Sequence, residues 1–181
     1  GVGSAGAGGR EPRAARRPRL EPPTLSSQTS MPTTAPTVLL VDDETSILDS
    51  LRILLRNAGF TPHTAHGGRA GLEMLQSVSP DIVLSDIRMP GVDGVQVLGA
   101  ARAHDADLPV ILMTAQATLQ SAMQAVNEGA YYYLQKPFRN DELLAILGRA
   151  AEHRRLRVEN RSLKQEIRRR DREVAVRPVG R

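Results

Sequence analysis

The chain has no cysteine among its 181 residues, which excludes disulfide frameworks and thiolate metal sites. No apolar run approaches the ~20 residues that a membrane span requires. The segment before Met31 is rich in Gly, Ala, Pro, Ser and Arg, lacks the apolar centre of a secretory signal, and reads as disordered. Also missing are a G-x-x-x-x-G-K-[ST] phosphate loop and a helix-turn-helix pattern after Arg172, so neither an ATPase nor a DNA-binding module is expected within these residues. The chain opens on Gly1, and Met31 directly precedes the first patterned segment; residues 1–30 are therefore expected to be an upstream extension of the reading frame.

The net charge of +4 hides a strong asymmetry. Gly1 to Pro36 carry five Arg and two Glu, Thr37 to Glu142 carry seven basic and thirteen acidic residues, and Leu143 to Arg181 carry twelve basic and five acidic. An acidic central domain thus lies between basic flanks. The expected organisation is an N-terminal extension over 1–36, a domain over 37–151, a helical extension over 152–172 and a disordered tail over 173–181.

What is present in the centre is a regular alternation. Val38-Leu39-Leu40-Val41 is a short apolar run that stops at acids, as a strand buried on both faces does. A helix through Ile47, Leu48, Leu51, Leu54 and Leu55 follows, with Thr45 or Ser46 available to cap it and Gly59 to stop it. Phe60 to Ala65 reads as a weaker strand, and Pro62 suits it to an edge. The pattern then repeats: a helix through Ala70, Leu72, Met74 and Leu75, a strand over Asp81–Ser85, and a helix through Val95, Val97, Leu98 and Ala101. A strand over Val110–Met113, a helix from Thr118 to Glu128, a strand over Tyr131–Leu134 and a helix from Asn140 complete it. Such alternation with mostly short connections predicts an α/β fold, an open, doubly wound parallel sheet built from right-handed βαβ units. A closed eightfold barrel would need roughly 250 residues.

Ligands bind beyond the carboxyl ends of strands in such sheets. Asp42, Asp43, Asp86, Thr114 and Lys136 all fall there. Three carboxylates so close repel one another and call for a cation. A hard divalent ion such as Mg2+, which takes one or two carboxylates and keeps room for phosphate, fits the set. Lys136 can then hold one phosphoryl oxygen and the Thr114 hydroxyl another. Each residue alone has an ordinary explanation: an Asp after a strand as a turn residue, a Lys-Pro as a turn, a Thr as a helix cap. Together they recur at successive strand ends in chain order.

The runs Val38-Leu39-Leu40-Val41-Asp42-Asp43-Glu44, Asp81 to Gly94, Pro109 to Ala115 and Lys136-Pro137-Phe138 resemble the motifs of receiver domains of two-component response regulators, over about Thr37 to Ala151. The resemblance implies a five-stranded flavodoxin-like (βα)5 fold with strand order 2-1-3-4-5. It implies that Asp86 is phosphorylated by a sensor histidine kinase or phosphotransfer protein. Asp43 and Asp86 would bind Mg2+ directly, with Asp42 acting through water and the Arg88 backbone carbonyl completing the set. Thr114 and Lys136 would hold the phosphoryl group, the Lys136–Pro137 bond would be cis, and Tyr133 would be the switch aromatic that moves with Thr114. Arg88 and Gln116 stand where the family tunes phosphate lifetime. No enzymatic activity beyond self-dephosphorylation is implied, and a cytoplasmic location is expected. An aspartate-dependent phosphatase would want a second acid where Arg88 stands.

The last helix has no Pro before Pro178 and only Gly148 as a weak breaker. A heptad reads His153, Asn160 and Ile167 at a, Leu156 and Leu163 at d, with Glu152–Arg157′ and Glu159–Lys164′ pairs across a parallel homodimer; a solvated basic helix is the alternative. Receivers of sigma-54-dependent, enhancer-binding activators look similar, including Tyr131 to Phe138 and a trailing helix. The chain is thus expected to be a stand-alone receiver or a truncated activator. Arg154, Arg155 and Arg168 to Arg170 scatter around the helix without interleaved aromatics, so DNA binding is not expected of them.

Overall fold

A computed structural model of the chain describes residues 1–3 and 34–176. The disorder expected of the N-terminal extension falls mostly outside these residues, as does the end of the tail, 177–181. Gly1–Thr33 and Thr34–Arg181 separate into two units, and the architecture below is that of the second.

Strands β1 (Thr37–Asp42), β2 (Thr61–His66), β3 (Ile82–Asp86), β4 (Val110–Thr114) and β5 (Tyr132–Gln135) alternate with five helices. These are α1 (Thr45–Asn57), α2 (Gly68–Val78), α3 (Gly94–His104), α4 (Leu119–Asn127) and α5 (Asn140–Val176). All neighbouring strands pair in parallel, in the expected order β2-β1-β3-β4-β5. Their side chains divide between two cores. Val38, Leu40, Ile82, Leu84, Ile111 and Met113 pack with α1 and α5, whereas Leu39, Val41, Val83, Val110 and Leu112 pack with α2, α3 and α4. Both faces are covered, which is why β1, β3 and β4 are written as unbroken apolar runs rather than alternating ones. Pro62 lies on the edge strand β2, where its missing N–H is tolerated.

Local signals explain most boundaries. Asp93 and Gln96 form a reciprocal capping box at α3, and Gly59 (φ 91°) ends α1 as expected. The start of α1 differs from expectation. Glu44 occupies its N-cap without a side-chain bond, and Thr45 is already helical. The physical reason lies one turn earlier: the Asp42 carboxylate accepts the Glu44 N–H at 3.0 Å, so the chain turns into the helix sooner.

The three tyrosines also depart from simple alternation. Tyr131 precedes β5 and packs toward α5, its ring 5.3 Å from that of His153, while Tyr133 packs into the opposite core. His153 is therefore committed to its own domain rather than to a dimer seam. Glu152 and Glu159 both pair with Arg155 on their own helix instead of standing free for a partner.

The tail expected to be disordered from residue 173 is helical through Val176, because nothing before Pro178 interrupts the helix and pairs such as Arg170–Glu166 support it. The extension is also fastened. Arg154 Nη1 lies 2.7 Å from Asp105 Oδ2, and Arg161 reaches Asp107 at 3.0 Å and Asp105 at 3.5 Å. Among the described residues no helix is long and apolar enough to cross a membrane.

Candidate functional site

The parallel register sets the ends of β1, β3, β4 and β5 along one edge, with Asp86 opposite Met113 and Thr114 opposite Gln135. Asp42 closes β1 and is fully buried, Asp43 follows it half-buried, and Asp86 closes β3 with little exposure. One carboxylate oxygen from each lies within 4.8 Å of the other two. Lys136 follows β5 and is anchored through its backbone, whose N–H donates to the Thr114 carbonyl at 2.7 Å. Its Nζ stands 3.2 Å from Asp42 Oδ2 and 3.6 Å from Asp86 Oδ2. The Lys136–Pro137 peptide bond is cis, as expected.

Three carboxylates against one ammonium leave the pocket short of positive charge. Burial pushes the Asp86 carboxyl above its ordinary value, the neighbouring charges of Asp42 and Asp43 push the same way, and Lys136 opposes them. A cluster of oxygen donors with surplus negative charge fits a hard divalent cation better than a soft one.

The structure brings four of the expected residues together and sets the others around them. The Thr114 hydroxyl is buried and accepts the Gln116 N–H at 3.2 Å. Arg88 is exposed in the loop between β3 and α3, and Gln116 is exposed after β4. Tyr133 is half-buried on β5, with its hydroxyl 2.6 Å from Ser121 Oγ.

Sequence reasoning overlooked three contributors. Ser85 is buried and donates to the Asp86 carbonyl at 2.9 Å, bracing the strand end from within. A Cβ on Gly94 would lie 2.3 Å from the Asp86 carbonyl oxygen, so only glycine lets α3 begin against that strand end. A Cβ on Gly68 would lie 2.1 Å from the Val92 oxygen, which brings the start of α2 against the same loop. Ser85 carried a signal, a polar residue in an otherwise apolar strand; the glycines carried none beyond their identity. A cleft of about 500 Å³ lined by Arg102, Tyr131, His153 and Arg157 lies at the other end of the strands, away from the acids.

Fold and site together define a doubly wound α/β domain with an acidic, lysine-bearing pocket at its strand ends. The chain belongs to the response regulator receiver domain family, whose profile matches residues 38–148. It is 41% identical over 130 residues to the regulatory protein AtoC of Escherichia coli, an alignment covering 72% of this chain and 28% of that protein. It is 46% identical over 116 residues to the DNA-binding transcriptional regulator NtrC of Escherichia coli, covering 64% and 25% respectively. A receiver domain protein from Clostridium thermocellum superposes with a TM-score of 0.64 at 30% identity, covering 67% of this chain and 98% of that one. The match to these two regulators agrees with the expected kinship to the receivers of enhancer-binding activators. The chain spans about a quarter of the length of these two relatives.

Proposed function

We propose that this receiver accepts a phosphoryl group on Asp86 from a histidine kinase or phosphotransfer protein and uses the modification to change a signalling surface. The observation that carries the reading is the meeting of Asp42, Asp43 and Asp86 within 4.8 Å beside Lys136. In the transfer, an Asp86 carboxylate oxygen forms the bond to phosphorus as the bond from phosphorus to the donor nitrogen breaks, and the electron pair leaves with that nitrogen. Lys136, already placed by its backbone bond to Thr114, offsets charge on the phosphoryl oxygens. The Thr114 hydroxyl donates to another of them. Asp43, Asp86 and the Arg88 carbonyl would hold Mg2+, with Asp42 supporting through water; when bound, the ion neutralises the carboxylates and the transferring group. Because Arg88 is bulky and exposed beside the acceptor, it slows the entry of water, and self-dephosphorylation is the only turnover expected.

The output follows from charge. An aspartyl phosphate carries about −1.5 to −2 in place of the single negative charge of the carboxylate it consumes, a change that Thr114 and Tyr133 sense and α4, β5 and α5 display. That face exposes Leu119, Met123 and Val126, apolar side chains suited to a protein partner. The C-terminal helix offers a second copy of the chain the exposed residues Leu156, Leu163 and Ile167. Nucleic-acid binding by the same helix is disfavoured: Arg154, Arg155, Arg161 and Arg170 are paired with acids of this chain, and Arg168 and Arg169 stand without interleaved aromatics.

Tryptic mass spectrometry after treatment with a small phosphodonor and Mg2+ tests the assignment. One labile phosphoryl group is expected on Asp86 and none in Asp86→Asn. Equal labelling of the two proteins would defeat it.

A further inference from the structure

The hydroxyl of Ser121 has more partners than it can serve. It lies 2.6 Å from the Tyr133 hydroxyl, 3.1 Å from the Thr118 N–H, 2.9 Å from Thr118 Oγ1 and 3.0 Å from the Thr118 carbonyl. A serine hydroxyl has one proton and two lone pairs, so it makes three hydrogen bonds at most. Four contacts therefore share three places. Three of them come from Thr118, the N-cap of α4, whose own Oγ1 also accepts the Ser121 N–H at 3.1 Å. The fourth comes from the middle of β5.

We propose that Ser121 is the latch that holds Tyr133 against the first turn of α4 in the unphosphorylated protein, and that its contacts with Thr118 keep the serine bonded once the tyrosine leaves. When Tyr133 departs, the Thr118 contacts remain, so the serine at the helix start keeps its partners and only the bond to the tyrosine is lost. Thr118 lies four residues beyond Thr114, the end of β4, so the latch and the phosphoryl-binding hydroxyl bound one short connection. A pull on Thr114 and the release of Tyr133 therefore act on the same segment from its two ends.

The inference rests on the phosphoacceptor reading and adds to it a resting-state contact opposing activation. Losing a contact made in only one of two states shifts the balance to the other. One hydrogen bond of ordinary net strength corresponds to a two- to tenfold change, on the order of what one such bond contributes.

The test is titration with beryllofluoride, a phosphoryl mimic, in Mg2+, followed by the amide resonances of Thr118 to Ser121 in the full chain. Ser121→Ala and Tyr133→Phe should each bind about two- to tenfold more tightly than wild type. The double variant should gain no more than either single one, because both remove the same bond. Ser121→Thr, which keeps the hydroxyl, should return affinity toward wild type. A Ser121 that merely caps α4 would give a less stable Ser121→Ala with unchanged affinity and leave Tyr133→Phe like wild type, overturning the latch. A wild-type protein that ignores beryllofluoride would overturn the phosphoacceptor reading and the latch with it. Wild-type binding with unchanged variants would overturn the latch alone.

Discussion

Lys136 Nζ lies 3.2 Å from Oδ2 of Asp42, a carboxylate with no solvent exposure, and the contact joins residues 94 positions apart. The lysine is thus the counterion of a buried acid. Among the described residues, removing it would leave the Asp42 carboxylate with the Glu44 N–H alone. Breaking one side of a buried pair costs about 3–5 kcal/mol. Lys136→Met should therefore be destabilised by about 3 kcal/mol in urea unfolding with chelator present. Added Mg2+ should recover part of that loss, and equal deficits with and without Mg2+ would show that the ion does not neutralise these carboxylates.

Asp86 carries the opposite sign. Its folded-state affinity for a proton is raised by burial, with Asp42 and Asp43 adding to it. The folded protein thus keeps a proton that the unfolded chain releases, and stability falls as pH rises from the ordinary carboxylate range through the raised value. At neutral pH the ionised side chain is a net cost. Asp86→Asn should melt a few degrees higher than wild type in chelator. In Mg2+ the order should narrow or reverse, because wild type gains more from the ion. Thermal melts of both proteins in both buffers measure it.

Asp105 gives the pH dependence of the extension. Burial alone would raise its carboxyl, but the Asp107 N–H and the guanidinium groups of Arg154 and Arg161 outweigh burial and hold it below its ordinary value. Its contribution is present above the unfolded carboxylate value of about 3.9 and disappears as pH falls through the lower, folded one. Hydrogen exchange in residues 155–176, corrected for its intrinsic pH dependence, should therefore rise on acidification below about pH 4. Asp105→Asn should show about fivefold faster exchange there at neutral pH, the size of a modest ion-pair loss. Unchanged protection would mean that helix propensity alone maintains the extension.

How much of this was written in the sequence depends on the range of the interaction. β1, β3 and β4 were legible because a strand covered on both faces must be apolar throughout, and Asp42 and Asp86 stood out as the places where those runs stop. Lys136 was legible as the basic residue of a Lys-Pro pair following the short run of β5. The cluster of Asp105, Asp107, Arg154 and Arg161 was not, since charged residues this far apart look like solvated surface until the fold pairs them. Tyr131 misled through its position just before β5, where strand alternation no longer governs direction. Ser121 escaped notice because the hydrogen bond to Tyr133 spans two elements, whereas its capping contact with Thr118 is local.

The helical extension leads to the last prediction. With His153 packed on Tyr131, the exposed seam begins at Leu156 and continues through Asn160, Leu163 and Ile167; Val174 falls at the next a position, with Arg170 at the d position between. Arg154 and Arg161 are displaced by one position from the a residues His153 and Asn160, so the side of the helix that holds Asp105 is not the side that carries Leu156, Leu163 and Ile167, which are exposed. Two copies would bury Leu163 at d, where an apolar side chain contributes about 1.5–3 kcal/mol. Leu163→Asp should weaken self-association by at least about tenfold in sedimentation velocity. Asn160→Ile should strengthen it and admit species larger than dimers, since the buried Asn selects two strands at a cost in stability. A wild-type chain that stays monomeric at high micromolar concentration, with and without beryllofluoride, would rule this seam out as a dimer contact.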